Sequence, residues 1–130
     1  MKPSKPSRNT RANPNRRVRV STYLDEQNDI RSFRVEGHAG FGEYGKDIVC
    51  AAISVLADTA VNGLEQFLSI KPVYQAEDGF LECSLTQLES EQDRFAARVI
   101  LGTMMLGLKQ IRDVYGSKYI MIEQRRWTPC

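Results

Sequence analysis

The sequence predicts a single α+β domain with the order β-β-α-β-β-α-β, two long helices packed on a mainly antiparallel sheet. Three observations carry that expectation. Runs of alternating apolar and polar residues flank the polar turn DEQND, and a second pair flanks Asp78-Gly79. Between and after these pairs lie two long segments whose apolar residues recur every three or four positions. A length of 130 residues suits one core and therefore one site.

The chain begins with MKPSKPSRNTRANPNRR, in which Pro, Ser, Asn and like charges mix without apolar periodicity. Such a segment cannot bury enough surface to offset the entropy of ordering, so residues 1–16 are expected to form a flexible basic tail and 17–130 the folded domain. Residues 1–17 hold Lys2, Lys5, Arg8, Arg11, Arg16 and Arg17 and no acid. The remainder has 12 basic against 16 acidic residues, a net charge of −4, which argues against a fold-wide nucleic-acid surface. A weak, salt-sensitive RNA contact through the tail is the functional alternative to a solvated leader without a task.

RVRVSTYL and IRSFRVEG read as the first two strands, with Phe33 and Val35 alternating against Arg34 and Glu36. A helix is expected from about Asp47 to Ser69, ending before Pro72, with Val49, Ile53, Leu56, Ala60 and Phe67 as its core stripe. KPVYQAE and FLECSLT form the second hairpin around Asp78-Gly79, a pair suited to the positive φ angles of a tight turn. There Leu81, Cys83 and Leu85 share one face, which makes Cys83 a buried apolar residue. The second helix starts at Ser90 with a capping-box-like Ser-x-x-Asp to Asp93 and ends at Tyr115 before Gly116. Ala97, Leu101, Met104, Leu108, Ile111 and Tyr115 form its stripe, and KYIMIEQRR closes the sheet.

No apolar run approaches the roughly 18 residues of a membrane span, and no apolar segment follows the basic N-terminus as in a secretory signal. A cytoplasmic protein without membrane contact is the expectation. Three cysteines, an odd number, argue for reduced thiols rather than a disulfide framework.

Chemistry concentrates in GHAGFGEYGKDIVCAAIS, residues 37–54, where a strand ends, a glycine-rich loop follows and a helix opens. It contains the chain's one histidine, His38. Gly40, Gly42 and Gly45 give the intervening loop backbone freedom, enough for it to open and close over a site. Asp47 has the character of an N-cap whose carboxylate accepts the N–H of Cys50. Cys50 then sits in the first turn, where the helix dipole favours a thiolate, although the Asp47 charge opposes it. His38 is the residue type that takes and returns a proton near neutral pH. Asp47, Cys50 and Ser54 follow one helical stripe beside Val49 and Ile53.

Spacing alone leaves core packing and surface polarity open beside catalysis, because local Cys-His signatures do not transfer between families. One His and one Cys twelve positions apart lack the four-ligand grouping of a zinc site, so no metal is expected. The segment resembles the Prp family of ribosomal-processing cysteine proteases, with matches at Gly37, His38, Asp47, Ile48, Val49, Cys50, Ala51, Ala52 and Ser54. The likeness extends over nearly everything after Arg17.

The resemblance implies that Cys50 is a nucleophile and His38 a general base, with Gly37, Asp47 and Ser54 in supporting positions. It further implies a homodimer without metal or organic cofactor. Its substrate would be a bacterial large-subunit ribosomal protein precursor carrying an N-terminal extension with apolar and aromatic residues. Phe41 and Tyr44 either contact such residues or pack when the loop closes, and packing is the commoner use of aromatics. Outside this reading stand a non-enzymatic ribosome-associated binding module and an acyl-transfer enzyme using the same pair.

Overall fold

The computed structural model describes residues 17–39 and 47–128. The expectations for the tail at 1–16, for residues 40–46 with Phe41 and Tyr44, and for Cys130 lie outside the described residues. Seven elements follow the predicted order: β1 (Val18–Leu24), β2 (Ile30–Glu36), α1 (Ile48–Phe67), β3 (Val73–Glu77), β4 (Phe80–Ser84), α2 (Glu91–Tyr115) and β5 (Ile120–Arg126). They build one sheet with strand order β3-β4-β2-β1-β5. Three pairings are antiparallel, and the fourth, β1 with β5, is parallel.

Strand periodicity gives the sheet two unlike faces. Opposed residues Val20 and Val35, Phe33 and Cys83, and Val18 and Ile120 point the same way, toward the helices, into one core with Val49, Ile53, Leu64, Leu101 and Leu108. The other face is polar and pairs across strands: Arg34 with Glu82 at 2.8 Å, Ser32 with Ser84 at 3.0 Å, and Ser21 with Glu123 at 3.1 Å. β3 is an edge strand with all five residues exposed.

The helical stripe of α2 is as expected from Ala97 to Ile111, with Tyr115 half-buried. In α1 the buried residues are Val49, Ile53, Ala57, Ala60, Val61 and Leu64. Leu56 is half-buried and Phe67, expected in the core, is 69% exposed. Phe67 keeps the azimuth of the stripe but is the last residue of α1, and the buried apolar position at that end is taken by the C-cap residue Leu68, 3% exposed. By length and mean hydropathy, 1.5, α1 would pass for a membrane span, contrary to the reading that no run came close. Asp58 and Glu65 interrupt its apolar character, and its inward face is packed against the sheet and α2.

Asp93 also departs from expectation. Ser90 does cap α2 by accepting the N–H of Asp93 at 3.0 Å. The Asp93 carboxylate, however, does not return to Ser90; it accepts the Ser69 N–H at 2.9 Å and the Ser69 hydroxyl at 2.7 Å. These bonds satisfy the chain leaving α1, which therefore stops at Phe67, two residues short of the predicted Ser69. The same bonds, led by the Ser69 N–H, hold the Asp93 carboxyl below its ordinary range.

The β1–β2 turn is tied down at the opposite end. Asp25 Oδ1 accepts the amides of Gln27 and Asp29, and Asn28 takes a φ of +65°. Asp29, 8% exposed, is held by Arg98 at 2.9 Å and Arg94 at 3.2 Å, both from α2. The Arg98 hydrogen bond is the main reason its carboxyl ionises below the usual carboxylate range. Arg31 donates to the carbonyls of Leu85 and Thr86 and lies under the Trp127 ring at 4.2 Å.

Replacing Asp29 with Asn should cost about 1–2 kcal/mol of unfolding free energy at pH 7, a modest figure because Arg98 is largely exposed. A lowered folded-state pKa means the contribution is complete above the unfolded carboxylate value of about 3.9 and fades as pH falls through the lower folded one. Urea unfolding should therefore show the gap between the two proteins closing in acid; a gap that stays constant would exclude the ion pair as its source.

Candidate active site

Three chain segments converge at the end of the sheet where β2 finishes. Gly37 follows β2 with a φ of +98°, a conformation costly for any residue with a side chain. A Cβ there would lie 2.8 Å from the Arg17 carbonyl oxygen, at the entry to β1. The Gly37 N–H donates to the Gly79 carbonyl at 2.9 Å, which ties the end of β2 to the β3–β4 turn. Gly37 therefore has a conformational reason for its place, whatever else it does. Only the second residue of that turn takes a positive φ, Gly79 at +76°, so the expectation of positive angles at both Asp78 and Gly79 is corrected. This is the pattern of a type II turn, where glycine is wanted at the second central position.

From Gly37 the chain delivers His38 and Ala39. The imidazole of His38 is half-buried and stands against Gly79. Ala39 is buried in the core, 1% exposed, which fixes its backbone. Its N–H donates to the Cys50 sulfur at 3.0 Å. Cys50 is half-buried in the first turn of α1.

Asp47 is the N-cap of α1, in extended geometry, and its carboxylate accepts the Cys50 N–H at 2.9 Å. The Ala51 N–H bonds the Asp47 carbonyl at 3.1 Å. Two of the helix-opening amides are thus engaged within the cap. A main-chain group aimed at the sulfur comes from Ala39, three residues past the end of β2. Nothing in residue type signals it, because every residue but proline has an N–H and alanine adds no chemistry of its own.

The structure thus gathers Gly37, His38, Asp47 and Cys50 at one end of the sheet. Ser54, one turn beyond Cys50 on α1, is exposed and is not brought to the others by any hydrogen bond among the described residues. Cys83, in contrast, is 1% exposed under the helices, and burial, with a smaller contribution from the Glu65 charge, pushes its thiol up to about 12. It stays protonated and inert at neutral pH. Among the described residues no group of three or more His, Cys, Asp and Glu side chains comes together as a metal site would require. What the arrangement supplies is a thiol at a helix N-terminus, a main-chain donor on its sulfur, and an imidazole on the residue next to that donor.

Residues 17–120 match the family model described as cysteine protease Prp. The ribosomal processing cysteine protease Prp of Staphylococcus aureus is 29% identical over 98 residues, which is 75% of this chain and 91% of the relative. The protein of the same description from Bacillus subtilis is 30% identical over 100 residues, 75% of this chain and 89% of the relative. Among solved structures, an essential ribosomal processing protease Prp from S. aureus with a covalently linked product peptide superimposes with a TM-score of 0.73 at 26% identity, over 83% of this chain and 99% of that one. The same protease with a substrate peptide gives 0.68 at 25% identity, again over 83% and 99%. With a match that runs from the start of β1 through both helices to the first residue of β5, the chain belongs to the Prp family of ribosomal processing cysteine proteases.

Proposed function

We propose that this protease removes the N-terminal extension of a bacterial large-subunit ribosomal protein precursor, with Cys50 as nucleophile and His38 as general base. The observation that carries the reading is the 3.0 Å contact from the Ala39 N–H to the Cys50 sulfur. It sets the thiol beside the residue that follows the imidazole. An anion in the first turn of a helix is favoured by the dipole, and a main-chain donor on the sulfur favours it further. The S. aureus relative has been captured with a substrate peptide and with a covalently linked product peptide, in keeping with peptide cleavage through a covalent intermediate.

In the proposed reaction His38 takes the thiol proton as the sulfur attacks the scissile carbonyl carbon. The tetrahedral intermediate collapses, the C–N bond breaks, and the imidazolium returns the proton to the departing amine. A thioester to Cys50 remains. Water, deprotonated by His38, attacks it, and the acid product leaves as the thiol reforms. Asp47 has a positioning part, because its cap bond to the Cys50 N–H sets where the first turn begins. The homodimer that the family resemblance implies, and a cytoplasmic setting, belong to the same proposal.

A synthetic peptide spanning the extension is the substrate for the test. Cys50→Ala should abolish its hydrolysis, and His38→Ala should lower kcat by roughly 10²- to 10⁴-fold, the usual worth of a positioned base. Full cleavage by the Cys50 variant would exclude the nucleophile, and unchanged kcat in the His38 variant would exclude the base. Iodoacetamide at pH 7, with the modified peptides mapped by mass spectrometry, should label Cys50 well before Cys83. Equal labelling of the two would contradict an activated thiol at Cys50.

A further inference from the structure

We infer that Gly79 is a positioning residue for the imidazole of His38, an inference that rests on the proposed role of His38 as base. The β3–β4 turn is not a neutral neighbour of the site. Its carbonyl at Gly79 accepts the N–H of Gly37, so the turn is pinned to the residue immediately before His38 through a 2.9 Å hydrogen bond. The distance between turn and histidine is therefore set by main chain on both sides. Against that fixed wall lies the ring: a Cβ on Gly79 would stand 2.8 Å from His38 Nε2 and 3.5 Å from both Cδ2 and Cε1. The first of these separations is too short for any real contact, while the other two are ordinary van der Waals distances.

Which part gives way decides the consequence. The turn is held by the β3–β4 ladder, with Glu77 opposite Phe80 and Ala76 opposite Leu81, and by the bond to Gly37. The imidazole is the end of a side chain that rotates about two bonds. A methyl group at position 79 therefore displaces the ring and leaves the fold largely in place. A base is effective only within hydrogen-bond reach of its proton, and a shift near 1 Å at a reacting group is enough to lose about 10²-fold in rate. The absence of a side chain at Gly79 thus sets where His38 comes to rest, in addition to allowing the positive φ of the turn.

These two uses of glycine are separable, because Gly116 supplies a control. It too has a positive φ, +112°, but a Cβ there meets nothing within 4 Å. Gly79→Ala should lower kcat on the extension peptide by roughly 10²-fold with KM little changed, while Gly116→Ala keeps kcat. Gly79→Asn, which adds the same Cβ on a residue that accepts positive φ more readily, should lose as much and keeps the question answerable if the alanine variant does not fold.

The decisive arm is the His38→Ala background, in which the ring is gone. There Gly79→Ala should bring no further loss in the residual rate. The positioning role is overturned if Gly79→Ala and Gly79→Asn retain kcat, if Gly116→Ala loses as much, or if the Gly79 effect persists in full without His38. Wild-type cleavage by His38→Ala alone would instead overturn the role of His38 as base, a separate failure with its own readout.

Discussion

The hydrogen bond from the Ala39 N–H to the Cys50 sulfur closes the eleven-residue connection between two different kinds of element. One is the end of a central strand, the other the first turn of a long helix. A sulfur at a helix N-terminus already gains from the dipole, but that effect acts on any group placed there and falls off within a turn. The Ala39 bond makes the site specific, because it fixes the strand end, and with it the histidine beside Ala39, to one face of one sulfur. Much of the remaining structure serves to keep those two ends in register.

On the strand side, the conformation of Gly37 is one that a side chain would spoil twice, by its positive φ and by collision with the Arg17 carbonyl. Its amide is held by the β3–β4 turn, and the residue after His38 is sunk into the core. On the helix side, Asp47 caps the first turn at the Cys50 amide, and Val49 and Ile53 anchor the same turn under the sheet. The cap settles where α1 starts, but in the proposed reaction it brings a carboxylate near a sulfur that becomes an anion. The Ala39 N–H on the sulfur opposes that repulsion. The far end of the molecule, where Asp29 pairs with Arg94 and Arg98, fastens the first hairpin to α2 and leaves the site end for chemistry.

Element order was readable because the patterns are local. Alternation in IRSFRVE, the Asp78-Gly79 turn and the stripe from Ala97 to Ile111 each lie within one segment, and each forms as its pattern indicates. Pairing of the first strand with the last, in parallel, has no such local signature and depends on how the helices cross the sheet. Phe67 was misplaced because periodicity gives the face of a helix but not its last inward residue. Asp93 was misplaced because a Ser-x-x-Asp spacing does not reveal a competing donor, Ser69, from another helix end. At the site, the Asp47 cap on the Cys50 amide was legible from residue type and spacing, whereas the roles proposed for His38 and Cys50 came from the family resemblance. Ala39 and Gly79 were not legible: one acts through its backbone, the other through the side chain it lacks, and neither leaves a mark in composition.

The Ala39 amide can be followed directly. In ¹⁵N-labelled protein its proton and nitrogen shifts, recorded against pH, should move over the same range in which Cys50 becomes reactive to iodoacetamide, and that movement should vanish in Cys50→Ser. An Ala39 resonance indifferent to the ionisation of Cys50 would contradict the bond on which the site is built.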